Sequence, residues 1–318
     1  KIDQLLESPE YAAWWATRLC DYTGNNGDQL NNIIPIRGRA GLDWYRWIYH
    51  RVEKNVPYDE LVAGIVTAVS RDEGQSYREY CEAMAKIYQD ESGDRFAEQD
   101  GMPHYWARRD LRQPPERAIA FAYSFMGVRI QCAQCHKHPF DQWSKNDFEE
   151  FSKFFASVQL ARNGRDRNEY NKLIQELGLK GEKGGQLRRK FGDLLKEGKA
   201  VPFPELYPRP AKGTARLLGD ETLDLSEFDD PRQPLMDWLR SPDNRFFARA
   251  FVNRIWANYF NVGIVEPPDD LSLANPPSNA ALLDYLAKGF VESGFDMKWV
   301  HRTIANSRTY QLSWKTNE

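Results

Sequence analysis

The chain has 318 residues, of which 41% are hydrophobic and 28% are charged, and its formal net charge is -3. This length and apolar content suit one large or two ordinary domains with a buried core. The near balance of charges argues against nucleic acid as a partner, and no apolar run approaches the roughly 18 residues of a membrane span, so we expect no transmembrane segment.

Helical periodicity runs through most of the chain, and the connecting segments are long and irregular. Pro114 and Pro115 predict the start of one strong helix, and Gly127 predicts its end. Asn146, followed three residues later by Glu149, predicts a capped start for the next helix. The predicted fold class is therefore all-α, with helices expected over 1–20, 42–56, 58–70, 77–89, 116–126, 146–158, 233–239, 246–260 and 278–294.

Changes in composition divide the chain into three parts. Residues 1–160 are predicted to form a haem-bearing helical domain, on the motif described below, and residues 231–318 a second helical unit. Residues 161–230 are predicted to be an insertion and a proline-rich linker, because 162–200 hold eleven Lys or Arg against six Asp or Glu and several prolines follow. We interpret the charges as a solvated surface, and docking to an acidic partner is the alternative.

The strongest chemical signal is the segment Cys132-Ala-Gln-Cys135-His136. The spacing C-x-x-C-H is that of c-type haem attachment. Two thiols one helical turn apart can bond to the two vinyl groups on one porphyrin edge, and the adjacent histidine can then reach the iron. The sequence therefore predicts one covalent haem c, bound through Cys132 and Cys135, with His136 as an axial iron ligand.

Two other interpretations use the same cluster. A structural zinc site could take Cys132, Cys135, His136 and His138, although tetrahedral zinc sites usually draw two ligand pairs from separated segments. Thiol chemistry is the other interpretation. A thioredoxin-like pair needs a strand-to-helix setting, whereas the residues before Cys132 have helical character. Haem is the preferred hypothesis.

The distal side of such a haem needs a residue from outside the motif. His104 is the first candidate, as the sixth iron ligand or as a catalytic pocket residue, because it follows Pro103 in a predicted turn. Met102 is the alternative ligand. Further candidates for cofactor binding could pair with the propionates, wall the ring or hydrogen-bond beside it, and these are Arg108, Arg109, Arg129, His138, Phe140 and Trp143.

A polar cluster in the second unit combines Asn253 and Arg254 with the acidic segment 266–270. The acidic side chains could coordinate a cation or pair with Arg254. Because the spacing matches no calcium loop, we predict a salt bridge to Arg254.

Two stretches resemble a known family. Phe125–Trp143, FMGVRIQCAQCHKHPFDQW, is similar to the hallmark segment of the large planctomycete-type cytochromes, and Ser241–Ser313 resembles the planctomycete-specific domain that follows it there. The resemblance implies a periplasmic, secreted or cell-surface protein, with haem at Cys132, Cys135 and His136. It also implies that the chain is an internal piece of a longer protein, truncated at both ends.

Three function classes follow from these observations. The preferred one is a redox enzyme or enzyme subunit, a haem-dependent oxidoreductase, because the chain is large for a single haem. An electron-transfer cytochrome module is the second, and a structural zinc-binding or scaffold protein is the third. The expected partners are a redox protein or a small-molecule or polymer substrate. The lone Cys20 and Cys81 are expected to be buried or joined to each other in an exported protein.

Overall fold

A computed structural model describes residues 1–31, 33–36, 38–90 and 92–312. Within these ranges about 54% of the protein is helical, in sixteen α-helices with two small sheets, which confirms the prediction of a mainly helical fold. The same part of the chain contains no helix with the length and apolar character needed to cross a membrane. The helices are α1 Ile2–Leu6, α2 Pro9–Thr23, α3 Ala40–Glu53, α4 Tyr58–Val66, α5 Tyr77–Gln89, α6 Asp94–Ala97, α7 His104–Ala107, α8 Pro114–Phe121, α9 Lys145–Ser152, α10 Arg167–Glu176, α11 Gly184–Lys196, α12 Gln233–Arg240, α13 Phe247–Phe260, α14 Ala280–Glu292, α15 Met297–Ala305 and α16 Arg308–Gln311.

The helix that leads to the motif begins and ends at the predicted residues. Pro114 occupies the first turn of α8, where its missing N–H costs no hydrogen bond. The helix continues as a π-helical turn over Ala122–Met126 and stops at Gly127, which has a φ of 61°. A Cβ on that glycine would come 3.0 Å from the Cβ of Ala250 in α13. Two separate reasons therefore favour glycine at this position, namely the left-handed backbone conformation and the close approach of α13.

The helix after the motif has its N-cap two residues before the predicted one. Ser144, not Asn146, is the N-cap of α9. Its hydroxyl accepts the N–H of Asp147 at 3.1 Å, and the Asp147 carboxylate accepts the N–H of Ser144 at 2.9 Å. Such reciprocal capping satisfies two donors at the helix start, so this boundary is fixed by local hydrogen bonds.

The middle of the chain is tied to the first part by a small sheet. Strand β1 (Val158–Ala161) pairs antiparallel with β2 (Glu205–Pro208), and β3 (Thr214–Arg216) pairs with β4 (Thr222–Asp224). In β2 the carboxylate of Glu205 is fully buried and accepts the Nε–H of Arg71 at 2.8 Å. Because the protein contains these strands, the predicted all-α fold class is correct only as a mainly helical fold. The division of the chain into three domains stays a prediction.

The second unit packs directly on the first. The ring of Tyr58, at the start of α4, stacks on Phe247 of α13 with centroids 5.1 Å apart, and its N–H donates to the Phe295 carbonyl at 3.0 Å. Arg232 is fully buried and donates through Nη1 to the carbonyl of Ala68 at 2.9 Å. Apolar stacking and buried hydrogen bonds thus join the two units.

Candidate functional site

The candidate site is the thiol loop, residues 131–143, which contains the C-x-x-C-H motif. Its first residues, Gln131–Gln134, form a short 3-10 turn. Cys132 lies within this turn and Cys135 is the residue that caps its end, so the two cysteines are three residues apart at one short turn. Both are free thiols, and Cys135 is exposed whereas Cys132 is half-buried.

Hydrogen bonds within the loop and to Arg129 hold the turn in place. Beneath the thiols, Ala133 is fully buried and its N–H donates to the Ile130 carbonyl at 2.9 Å. The Nδ1 of His138 accepts the N–H of Phe140 at 3.2 Å. Since a backbone amide only donates, the ring proton lies on Nε2, which is 2.9 Å from the Arg129 carbonyl. His138 is therefore a buried side chain that connects the loop to Arg129.

Trp143 fastens the far end of the thiol loop. Its indole is 3% exposed, and its ring centroid lies 6.1 Å from that of Phe246, just before α13. A Cβ on Gly219 would come 3.3 Å from the same indole, so the middle segment also packs against it. The Trp143 carbonyl accepts the N–H of His138 at 2.8 Å. The loop is thus anchored on three parts of the chain.

The prediction of a c-type haem is wrong, and so is the zinc alternative. In the residues that the structure describes, no group of three or more His, Cys, Asp or Glu side chains could hold a metal ion. His136, the predicted iron ligand, is exposed, and its Nδ1 lies 2.7 Å from the Lys137 carbonyl. A haem needs an enclosed apolar crevice with ligands on the iron axis. The exposed side chains of Cys135 and His136 on a surface turn do not form one.

The two candidate distal residues lie in the core of the first part. His104 is 4% exposed, and its ring stacks on Phe96 with centroids 4.8 Å apart. Burial lowers the pKa of His104 to about 3, so its ring is neutral at physiological pH. Met102 is fully buried, and its N–H donates to the Gly64 carbonyl at 2.8 Å. These contacts are core packing, and none of them is to the thiol loop.

Two of the three candidate arginines are engaged in the fold. Arg108 is 8% exposed and donates through Nη1 to two backbone carbonyls at the end of α2, at 2.7 and 3.1 Å. Arg129 donates through Nη2 to Asp269 at 2.9 Å, which links the residues before the thiol loop to the second unit. Arg109 is exposed, and so is Phe140, whose side chain is 65% accessible on the thiol loop.

The predicted salt bridge of Arg254 to the acidic segment is replaced by other contacts. Arg254 is 3% exposed and donates through its two terminal nitrogens to the carbonyls of Ser124 and Tyr123, at 2.5 and 2.6 Å. Asp269 of the acidic segment pairs with Arg129 instead. Backbone carbonyls at the end of a π-helical turn lack helical partners, and a buried guanidinium satisfies them.

A groove that no sequence motif indicated lies beside Arg254, and we call it the Trp14 groove. It has a volume of about 510 Å³ and lies between α2, Tyr123 and α13. The adjacent residues Trp14 and Trp15 could have indicated it, because neighbouring residues of a helix cannot both face the core and one indole must therefore lie at the surface. Trp15 is 6% exposed, whereas Trp14 is 53% exposed. The side chains that define the groove are Trp14, Arg18, Tyr22, Tyr123, Arg254 and Asn258.

Two family models match the chain. PSCyt2, described as a protein of unknown function (DUF1549), matches residues 1–160, and PSD1, described as a protein of unknown function (DUF1553), matches residues 231–318. No curated protein and no solved structure matches the chain.

These matches correct the resemblance to cytochromes. The matched domains are planctomycete-type domains of unknown function, and neither model describes a C-x-x-C-H haem domain. The predicted haem cofactor, the haem oxidoreductase, the cytochrome module and the zinc or scaffold alternative built on the same cluster are therefore withdrawn. Because the first model spans half of the sequence, the chain belongs to the PSCyt2 family of unknown function (DUF1549), joined to a PSD1 region (DUF1553) at residues 231–318.

Proposed function

We propose that the thiol loop is a dithiol–disulfide exchange site that acts on a partner protein outside the cytoplasm. The observation that carries the proposal is the position of the two cysteines, with Cys132 in a 3-10 turn and Cys135 at its end three residues later, both free and Cys135 exposed. Exchange needs a thiol that a partner's disulfide can approach and a second thiol close enough to complete the reaction.

The roles of the two thiols follow from their exposure. The thiolate of Cys135 attacks one sulfur of the partner's disulfide, so that the partner's S–S bond breaks and its other sulfur leaves as a thiolate. Cys132 then attacks the Cys135 sulfur, which closes the Cys132–Cys135 disulfide and releases the second partner sulfur. Two electrons pass to the partner, and the two protons of the cysteine thiols end on the partner's thiols. The reverse reaction oxidises a partner dithiol.

His136 can accept the proton of the attacking thiol. Its Nδ1 lies 2.7 Å from the Lys137 carbonyl, which only accepts hydrogen bonds, so Nδ1 carries the ring proton. The other nitrogen of the neutral ring, Nε2, is then a base. Because His136 directly follows Cys135 and is exposed, it can also return a proton when a thiolate leaves.

The bracing of the loop favours closure of the disulfide. The buried side chains of His138 and Trp143 hold the loop that follows the two cysteines, so the backbone between Cys132 and Cys135 stays in one arrangement in the reduced protein. A cross-link between groups that are already held close together costs less conformational entropy than one across a mobile segment. The buried contacts of the loop therefore support a reversible redox change without refolding.

Location sets the direction of the exchange. Export is inferred from the resemblance of Phe125–Trp143 to planctomycete-type proteins and stays a proposal. In a periplasm or at a cell surface disulfides persist, so the Cys132–Cys135 pair would rest oxidised and accept electrons from a partner dithiol.

The test is a redox titration of the purified chain in glutathione buffers, with each cysteine read by alkylation and mass spectrometry. The wild type should form the Cys132–Cys135 disulfide in a two-electron transition, in which the equilibrium constant changes tenfold for about 30 mV. In Cys132→Ser the mixed disulfide with glutathione should accumulate at Cys135, because the resolving thiol is missing. Cys135→Ser is the matched control and should trap far less glutathione at the half-buried Cys132.

Two results would count against the proposal. If the disulfide is absent even in the most oxidising buffer, the loop does not perform dithiol exchange. If the two serine variants trap glutathione equally, the assignment of Cys135 as the attacking thiol is wrong.

A further inference from the structure

We propose that the Trp14 groove binds neutral sugar rings of a polysaccharide. This inference is independent of the thiol loop. The groove combines exposed aromatic rings with polar groups that remain available beside them.

Trp14 provides a fixed aromatic surface. Its side chain is 53% exposed on α2, and the guanidinium of Arg18 lies 4.5 Å from its ring centroid. This cation–π contact orients the indole before any ligand binds. Tyr123, across the groove, is 39% exposed. The apolar C–H face of a sugar ring packs on aromatic faces of this kind, whose large contact area costs little side-chain entropy.

Buried hydrogen bonds hold the floor of the groove. The guanidinium of Arg254 lies 4.8 Å from the ring centroid of Tyr22 and 5.8 Å from that of Tyr123, and it is itself fixed by two backbone carbonyls. Asn258 donates through Nδ2 to the Tyr22 hydroxyl at 2.8 Å and to the Arg254 carbonyl at 2.9 Å. A preorganised floor reduces the entropic cost of binding.

The same hydrogen bonds leave a donor and an acceptor at the groove. Both amide hydrogens of Asn258 are used, so its carbonyl oxygen remains an acceptor. The Tyr22 hydroxyl accepts from Asn258 and can still donate its own hydrogen. Sugar hydroxyls donate and accept in the same way, so this pair of groups matches a neutral polyol.

The terminal nitrogens of Arg254 and the guanidinium of Arg18 already have contacts within the protein. Arg254 donates through Nη1 and Nη2 to backbone carbonyls, and Arg18 lies 3.6 Å from the Asp21 carboxylate, whereas the Nε group of each arginine is buried without a partner. Asp269, at the edge of the groove, is paired with Arg129 at 2.9 Å. An anion would compete with these contacts, whereas a neutral sugar would not. The volume of about 510 Å³ lies within the roughly 300–1,000 Å³ of ligand pockets.

The groove joins the two units of the chain. Trp14, Arg18, Tyr22 and Tyr123 belong to the residues matched by PSCyt2, and Arg254 and Asn258 to those matched by PSD1. A ligand in the groove therefore contacts both regions, which gives a physical reason for the two regions to act together.

The experiment is native affinity electrophoresis of the full chain in gels that contain dextran, laminarin or xylan, with alginate as an acidic polysaccharide. We expect at least one neutral polysaccharide to retard the wild type. Trp14→Ala should weaken that retardation about tenfold or more, which corresponds to about 1.4 kcal/mol. Trp14→Phe should keep most of it, because an aromatic face remains. Tyr285→Ala is the matched control, since Tyr285 is 62% exposed on α14 outside the groove, and it should behave as wild type.

Other outcomes would overturn the proposal. These are no retardation of the wild type by any neutral polysaccharide, retardation that survives in Trp14→Ala, or an equal loss in Tyr285→Ala. Retardation by alginate alone that disappears with added salt would instead indicate an anion site at the arginines. Circular dichroism of each variant separates loss of binding from loss of fold.

Discussion

The two surface thiols and the two buried thiols of this chain are the same residue type in opposite environments. Cys20 and Cys81 lie in the core of the first part, and burial raises their pKa to about 12 and about 11. Cys132 and Cys135 lie on a surface turn three residues apart. Thiolate is the reactive form, and burial disfavours it. Spacing along the sequence decides which thiols can meet, whereas burial decides which of them can react.

The largest expected effect is a difference in labelling rate between the two pairs. At pH 8 a pKa two or three units above the usual value of 9.0 lowers the thiolate fraction about a hundredfold to a thousandfold, and packing adds a further barrier. In reduced native protein, Cys132 and Cys135 should react with a maleimide at least about a hundred times faster than Cys20 and Cys81. Mass spectrometry of quenched samples identifies the sites, and labelling in urea gives the control in which all four react. Fast labelling of Cys20 or Cys81 in native protein would show that burial does not protect these two thiols.

Next in size is the loss of stability on removing the anchor of the surface pair. Trp143→Ala should lower the free energy of unfolding by about 3–5 kcal/mol, because a buried indole packed on Phe246 is replaced by a cavity. Phe140→Ala in the same loop is the matched control, and it should change stability by less than about 0.5 kcal/mol because Phe140 is 65% exposed. Urea denaturation measures both. Equal costs for the two variants would show that the loop is not anchored through Trp143.

Burial also changes the protonation of histidines, and this change should appear in how the stability of the fold depends on pH. Burial lowers the pKa of His104 and of His301 to about 3, while the unfolded chain takes up these protons near pH 6.5. The unfolded state therefore binds more protons between pH 6.5 and pH 3, so stability is lost as the pH falls through that window. Each histidine should contribute a loss of about 2 kcal/mol between pH 6.5 and pH 5.

The matched pair of variants for this effect is His104→Gln and His136→Gln. The first should reduce the stability lost between pH 6.5 and pH 5 by about 2 kcal/mol, because one buried titrating group is removed. The second removes a histidine whose side chain is exposed and serves as the matched control. Identical slopes for wild type and His104→Gln would mean that His104 is not held neutral by burial.

Local signals predicted the helices better than they predicted the site. Pro114 and Gly127 bound the helix before the motif as expected, because both act within one or two residues of their own backbone. The role of His104 depends on Phe96 packing against its ring, a contact that no local pattern encodes. The C-x-x-C-H spacing was specific as a pattern, but the same spacing suits a bare thiol pair, and only the exposure of Cys135 and His136 separates the two. The haem chemistry assigned to these thiols was wrong, and their role in thiol exchange is a proposal.

The smallest effect tests where the thiol loop ends. Ser144→Ala should lower the free energy of unfolding by about 1 kcal/mol, because the hydroxyl that accepts the N–H of Asp147 is lost. Asn146→Ala changes the residue that the sequence pattern favoured as the cap, and as an exposed first-turn residue it should cost less than about 0.5 kcal/mol. Chemical denaturation of the two variants under identical conditions measures the difference. A larger cost for Asn146→Ala than for Ser144→Ala would place the N-cap of α9 at Asn146, two residues later. Because the cap fixes the direction in which the chain leaves Trp143, Ser144→Ala should leave the labelling rates of Cys20 and Cys81 unchanged while altering those of Cys132 and Cys135.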